Sequence, residues 1–122
     1  MQPIAQCRSM GYNVSVTIVD REGLPIVMLR DDGAGLHTPE GSDRKAYTAR
    51  AFGQPSAAFA KRLEDRPETV GSRQYSRVLA IAGGLPIKAS DEIVGAIGVS
   101  GTPGKDGDCA QAGIDKVADQ LK

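Results

Sequence analysis

Between residues 83 and 101 the chain reads Gly83-Gly84-Leu85-Pro86-Ile87, then Ile93-Val94-Gly95-Ala96-Ile97-Gly98-Val99-Ser100-Gly101. These are two apolar, strand-like runs interrupted by glycine. Glycine weakens a strand and is placed where the backbone must bend or where another chain segment comes very close. The pair therefore calls for a sheet with a helix or a second subunit packed against it at short range. Gly95, Gly98 and Gly101 recur at every third residue, which matches neither GxGxxG nor a phosphate-binding loop, and no lysine closes the run. A nucleotide fingerprint is excluded. The strand runs into Ser100-Gly101-Thr102-Pro103-Gly104, a loop rich in polar side chains and backbone donors. Gly83, Gly84, Ser100 and Gly101 are accordingly candidates for lining a ligand site.

The remaining elements fall into groups. A short helix is expected over 2–10, stopped by Gly11. From Tyr12 to Asp20, Val14, Val16 and Ile18 alternate with Asn13, Ser15 and Thr17, the pattern of a half-buried strand. Asp20-Arg21-Glu22-Gly23 forms a turn into a returning strand over 24–30. Ser42 is placed to cap a helix over 43–52, ended by Gly53. A second helix runs from Pro55 to Glu64, with Phe59 and Leu63 on one face, and Pro67 prevents its extension. Strands are expected at 78–82, 85–88 and 93–100. Asp106 or Asp108 caps a last helix whose apolar stripe is Ala110, Ile114, Val117 or Ala118, and Leu121. Strands, helices, strands and one more helix favour an α+β fold, with a mostly antiparallel sheet flanked by helices. The 122 residues suit one domain, 1–122.

Composition narrows the partners. Fifteen basic and fifteen acidic residues give zero formal net charge, so no global field draws nucleic acid or an anionic membrane. Five aromatics and no Trp are too few for a stacking platform. Charge is locally uneven: the segment from Arg44 to Arg77 is basic, read as a solvated helical face or an anion-binding rim. Cys7 and Cys109 stand far apart with no CxxC or Cys/His cluster, so no metal site is expected. Without a signal-like or membrane-length apolar run, the expectation is a cytoplasmic protein with free thiols.

Chemistry concentrates on a few residues. His37 is the only histidine and sits in a glycine-rich loop, where functional residues are over-represented. Asp31 and Asp32 end a strand; adjacent residues on extended chain point oppositely, so a turn with an Arg30 ion pair is their simplest role. Lys45, read as lying in the first turn of its helix, opposes the helix dipole. It is a candidate to hold a carboxylate or phosphate. Cys109 falls early in the last helix, where simple packing competes with a lowered thiol pKa.

Taken in order, Val16-Thr17-Ile18-Val19-Asp20 with Gly23, Arg30-Asp31-Asp32-Gly33-Ala34, Lys45-Ala46-Tyr47-Thr48-Ala49, the two glycine-rich runs, and Asp106 with Cys109-Ala110 resemble the GlcG/HbpS family. This is the haem-degrading or haem-binding domain also found at the C-terminus of PduO-type proteins. The resemblance covers about residues 12–121. It implies a profilin-like fold with a central sheet of about five strands, and self-association into homo-oligomers. It also implies a pocket for haem or another small anionic ligand. His37 would then be the axial candidate, with Arg30 and Lys45 facing the propionates. Two further readings stand beside it. In a small-molecule catabolic enzyme, of lyase or isomerase type, Lys45 and Arg30 hold a carboxylate and His37 or Asp106 moves a proton. In a non-catalytic oligomeric subunit, the small-residue strand packs against a neighbour.

Overall fold

The period-two alternation at 14–19 becomes β1 (Ser15–Val19), the second strand of a four-stranded sheet. A turn leads from β1 into β2 (Pro25–Arg30), where the Asp20 carboxylate accepts the N–H groups of Glu22 and Leu24 at 2.8 and 3.0 Å. On its other side β1 pairs with β4 (Glu92–Ser100), and β4 pairs with β3 (Gly84–Ala89). All three pairings are antiparallel, and the order is β2-β1-β4-β3. The structure, a computed structural model, describes residues 1–121; the side chain of Leu121, expected on the last apolar stripe, lies outside it.

Each face of the sheet carries helices. On one lies α2 (Thr38–Phe52), and on the other lie α1 (Gln2–Ser9) and α4 (Asp106–Lys116). Under α1 and α4 pack Val14, Val16, Ile97 and Val99 with Cys7, Cys109 and Ala110. Under α2 lie Val19 and Ala96 against Ala46 and Ala49. A third cluster joins α3 (Ser56–Asp65) to the chain after it through Phe59, Leu63 and Val78, with Phe52 stacked on Phe59 at 4.1 Å.

Several expectations change. The polar face of β1 is not wet: Ser15 and Thr17 are fully buried, their hydroxyls paired with Thr38 at 2.9 Å and Ser42 at 2.7 Å. Hydroxyl–hydroxyl pairing lets a polar face serve as core because each buried group keeps a partner. Ser42 is not a cap. The helix begins earlier, at Thr38, with Pro39 in its first turn and His37 as the N-cap residue. Gly53 ends it in the left-handed conformation, φ +68°, as the sequence indicates.

The sheet has four strands rather than about five, because 78–82 is not a strand. Side chains take up its backbone groups instead. Arg44 donates to the Val78 carbonyl at 2.8 Å, Thr48 Oγ1 accepts the Leu79 N–H at 2.9 Å, and Ser56 Oγ donates to the Ile81 carbonyl at 2.7 Å. An apolar run whose backbone is satisfied this way needs no neighbouring strand.

Asp31 pairs with Arg8, not Arg30, and is buried. The Arg8 guanidinium bonds to it through Nε at 2.8 Å and through Nη2, and this holds the carboxyl below its ordinary value. The basic segment is largely consumed locally. Lys61 pairs with Asp65 and Arg66 with Glu68, while Arg77 bonds to Asp43 and stacks over Tyr47. No described helix is long and apolar enough to cross a membrane.

The cysteines are not free thiols. Cys7 in α1 and Cys109 in α4 form a buried disulfide across a sequence separation of 102 residues. The helices bring together what the sequence keeps apart, so spacing gave no sign of it. Closing so long a loop removes unfolded-state entropy. The Cys7→Ser/Cys109→Ser double variant should lose about 2–5 kcal/mol of unfolding free energy, measured by urea titration. An unchanged midpoint would show that α1 and α4 hold together without the bond.

Candidate functional site

The site forms where the first turns of α2 meet the end of β4 and the start of α4. The α2 backbone can reach this position because Gly98 faces it: a Cβ there would collide with the Ser42 carbonyl and come within 2.6 Å of the Ala46 nitrogen. Above this contact opens a cleft of about 590 Å³, within the range of small-molecule sites. Its walls are His37, Glu40, Gly41 and Arg44 from α2 and its entry, Ser100 to Thr102 from the β4 end, and Leu79 and Ile81 from the irregular chain.

Lys45 and Asp106 form its floor. Lys45 Nζ donates to Asp106 Oδ2 at 2.8 Å and to the Val99 carbonyl at 3.1 Å. Asp106 Oδ1 accepts the Thr102 N–H at 2.9 Å. Both residues are almost fully buried, Lys45 at 3% exposure and Asp106 at 6%. Lys45 therefore lies deep in α2 rather than in its first turn, and its ammonium already has an anion. It bridges α2, β4 and α4 and is not a free cation awaiting a ligand. The carboxylate of Asp106 is likewise occupied at both oxygens, so a role in moving protons would first require breaking the pair.

Of the residues singled out in the sequence, His37, Lys45, Ser100, Gly101 and Asp106 converge on this cleft. Gly83 and Gly84 stand behind it. A side chain at Gly83 would meet Lys45 Cδ at 2.8 Å and Asp106 Cβ at 3.0 Å, and one at Gly84 would meet the Lys45 carbonyl. They make room for the ion pair rather than line the cleft. Arg30 is not there; it ends β2 at the far edge of the sheet, exposed. Thr102 lies in the loop expected at the site, and Glu40 and Gly41 in the loop that carries His37, though none was singled out; Arg44, Leu79 and Ile81 were missed. The basic segment hinted at Arg44, but nothing in the sequence separated it from the cations that pair locally.

His37 is exposed, and its imidazole makes no hydrogen bond to the described residues. The ring lies against Gly35, where a Cβ would sit 2.9 Å from its Cε1. Among the described residues no group of three or more His, Cys, Asp or Glu side chains stands ready for a metal ion.

Removing one member of a buried ion pair leaves an uncompensated charge. Lys45→Met should destabilise the protein by about 3–5 kcal/mol. Lys45→Met combined with Asp106→Leu should recover much of that loss. A double-variant cycle of urea titrations measures it, and strictly additive losses would show that the two side chains do not act as a pair.

Comparison with known proteins places this geometry. A double mutant of Streptomyces reticuli HbpS superposes with TM-score 0.88 at 36% identity, covering 95% of this chain and 79% of that one. PduOC, solved as a complex with haem, superposes with TM-score 0.85 at 25% identity, covering 93% and 85%. An uncharacterized 15.0 kDa protein from the dhaT-dhaS intergenic region of Citrobacter freundii is 29% identical over 105 residues, 83% of this chain and 74% of that one. The family model for HbpS-like proteins, described as haem degrading, matches residues 2–115. The chain belongs to the HbpS-like family.

Proposed function

We propose that this protein binds haem, or another small anionic ligand of similar breadth, in the cleft beside His37. The observation that carries the reading is the histidine itself: an exposed imidazole with no hydrogen bond to the described residues, beside a cleft of about 590 Å³. Leu79 and Ile81 offer an apolar wall, and Ile81 is 55% exposed as it stands. The relationship to PduOC, crystallised with haem, supports the same reading. His37 would supply the axial nitrogen, and haem, when bound, would supply its iron chemistry. The chain's own work is to hold and orient: Lys45 and Asp106 brace the floor, and the α2 N-terminus positions the imidazole.

The catalytic alternative, a lyase or isomerase acting on a carboxylate, has less support. Its two cations were Arg30, which is at the other edge of the sheet, and Lys45, which is bound to Asp106. The disulfide also removes the free thiols on which a cytoplasmic location partly rested.

Titration with hemin, followed at the Soret band, tests the proposal. The protein should give a saturable one-to-one shift, and His37→Ala should weaken binding about tenfold or more and move the band. No saturable shift, or a spectrum indifferent to His37→Ala, would remove the assignment.

Self-association is a second reading, carried by β2. This edge strand exposes Ile26 at 67%, with Leu24, Met28 and Leu29 also exposed. An apolar strand with unpaired backbone groups is a template for another chain, and a second copy of this protein is the occupant we infer. Light scattering should show a dimer or larger species that Ile26→Lys dissociates; a monomeric wild type at micromolar concentration would count against it.

A further inference from the structure

Gly41 is an odd choice for its position. It is the fourth residue of α2, its φ is not in the left-handed region, and alanine would favour the helix there. What glycine provides is space. A Cβ at residue 41 would sit 2.6 Å from Ser100 Oγ and 3.2 Å from Ser100 Cβ. Ser100 itself lines the cleft, and its hydroxyl makes no hydrogen bond to the described residues, which leaves it free to face a ligand.

One turn further along α2, on the same face, stands Arg44. Its Nη2 donates to the Val78 carbonyl at 2.8 Å, and its Nη1 holds the exposed Glu40 loosely at 3.3 Å. Its Nε is buried with no hydrogen-bond partner. The guanidinium is thus anchored from behind, and the donor it can turn to a ligand without losing the Val78 bond is Nη1, now held only by Glu40. An exposed glutamate at that distance contributes little and yields easily to a better acceptor.

We propose that Arg44 and Ser100 form a subsite for a carboxylate group of the ligand, with Ser100 held in place by its close packing on Gly41. The subsite rests on the cleft being the ligand site, and it takes the role that the sequence had given to Arg30 and Lys45. The carboxylate is either a propionate of a haem-like macrocycle or the acid group of a small free carboxylic acid. Guanidinium–carboxylate bonds are among the stronger polar contacts, so this pair sets which ligands are retained.

Calorimetric titration with three probes tests it: hemin, hemin dimethyl ester, and benzoate. Each is applied to the intact protein and to Arg44→Gln and Gly41→Ala, with urea unfolding of each variant as the stability control. Both variants should weaken hemin about tenfold or more and leave the ester, which lacks free carboxylates, unchanged. Any stability that Gly41→Ala loses by displacing Ser100 is read from its own unfolding curve. If only benzoate binds, and the variants weaken it, the subsite stands and the haem reading falls. Equal weakening of hemin and its ester, or hemin binding that neither variant weakens, overturns the subsite while leaving the haem reading in place; benzoate binding alone, unweakened, overturns both. Failure of all three probes to bind overturns both.

Discussion

At two points the α2 backbone comes directly against a strand, Gly98 of β4 and Gly84 of β3, where no side chain intervenes. At Gly98 the facing atoms are the Ser42 carbonyl and the Ala46 nitrogen, and at Gly84 the Lys45 carbonyl. Any larger residue would lift the helix by the depth of a side chain. The other polar features of that face depend on this approach. Ser15 and Thr17 can meet hydroxyls on α2 because hydroxyl arms are short, and such pairs form only when the backbones are close. Alanines suffice to fill the apolar part of the interface for the same reason.

The same closeness turns Lys45 from a surface cation into a structural one. With the helix seated low, its side chain passes over Gly83 and ends between the Val99 carbonyl and Asp106. Helix, strand and the start of α4 are pinned at one buried point. The cleft above it inherits a rigid floor, and its remaining charge chemistry is left to groups on the walls. That separation of a bracing pair from ligand-facing groups is why a binding role fits the site better than proton transfer by Asp106.

Much of this was legible in the sequence wherever a local rule governed the outcome. The strand at 14–19, the Asp20 turn and the Gly53 stop each depend on a few neighbouring residues, and each is present, although the strand's polar face is buried where a half-buried strand was read. The glycine-rich strands correctly announced a close-packed element, though not which one. Errors arose where the deciding partner was distant. Lys45 looked like a free cation because Asp106 is 61 positions away. Asp31 was assigned to Arg30 although Arg8 reaches it from α1. The 78–82 run looked like a strand because its apolar content was visible, whereas the hydroxyls and guanidinium that hold its backbone were not. His37, Ser100, Gly101 and Asp106 were singled out one by one in the sequence, and it is the fold that brings them to one cleft.

The bond between Cys7 and Cys109 has a topological consequence. Residues 7–109 form a covalent ring that contains all four strands together with α2 and α3. A single backbone cut anywhere in that ring, for instance at the exposed Arg21–Glu22 turn, does not release a fragment. It adds a new pair of chain ends, and the two pieces stay joined through the cystine. Both walls of the cleft would remain parts of one molecule, and only a cut combined with reduction would let them diffuse apart.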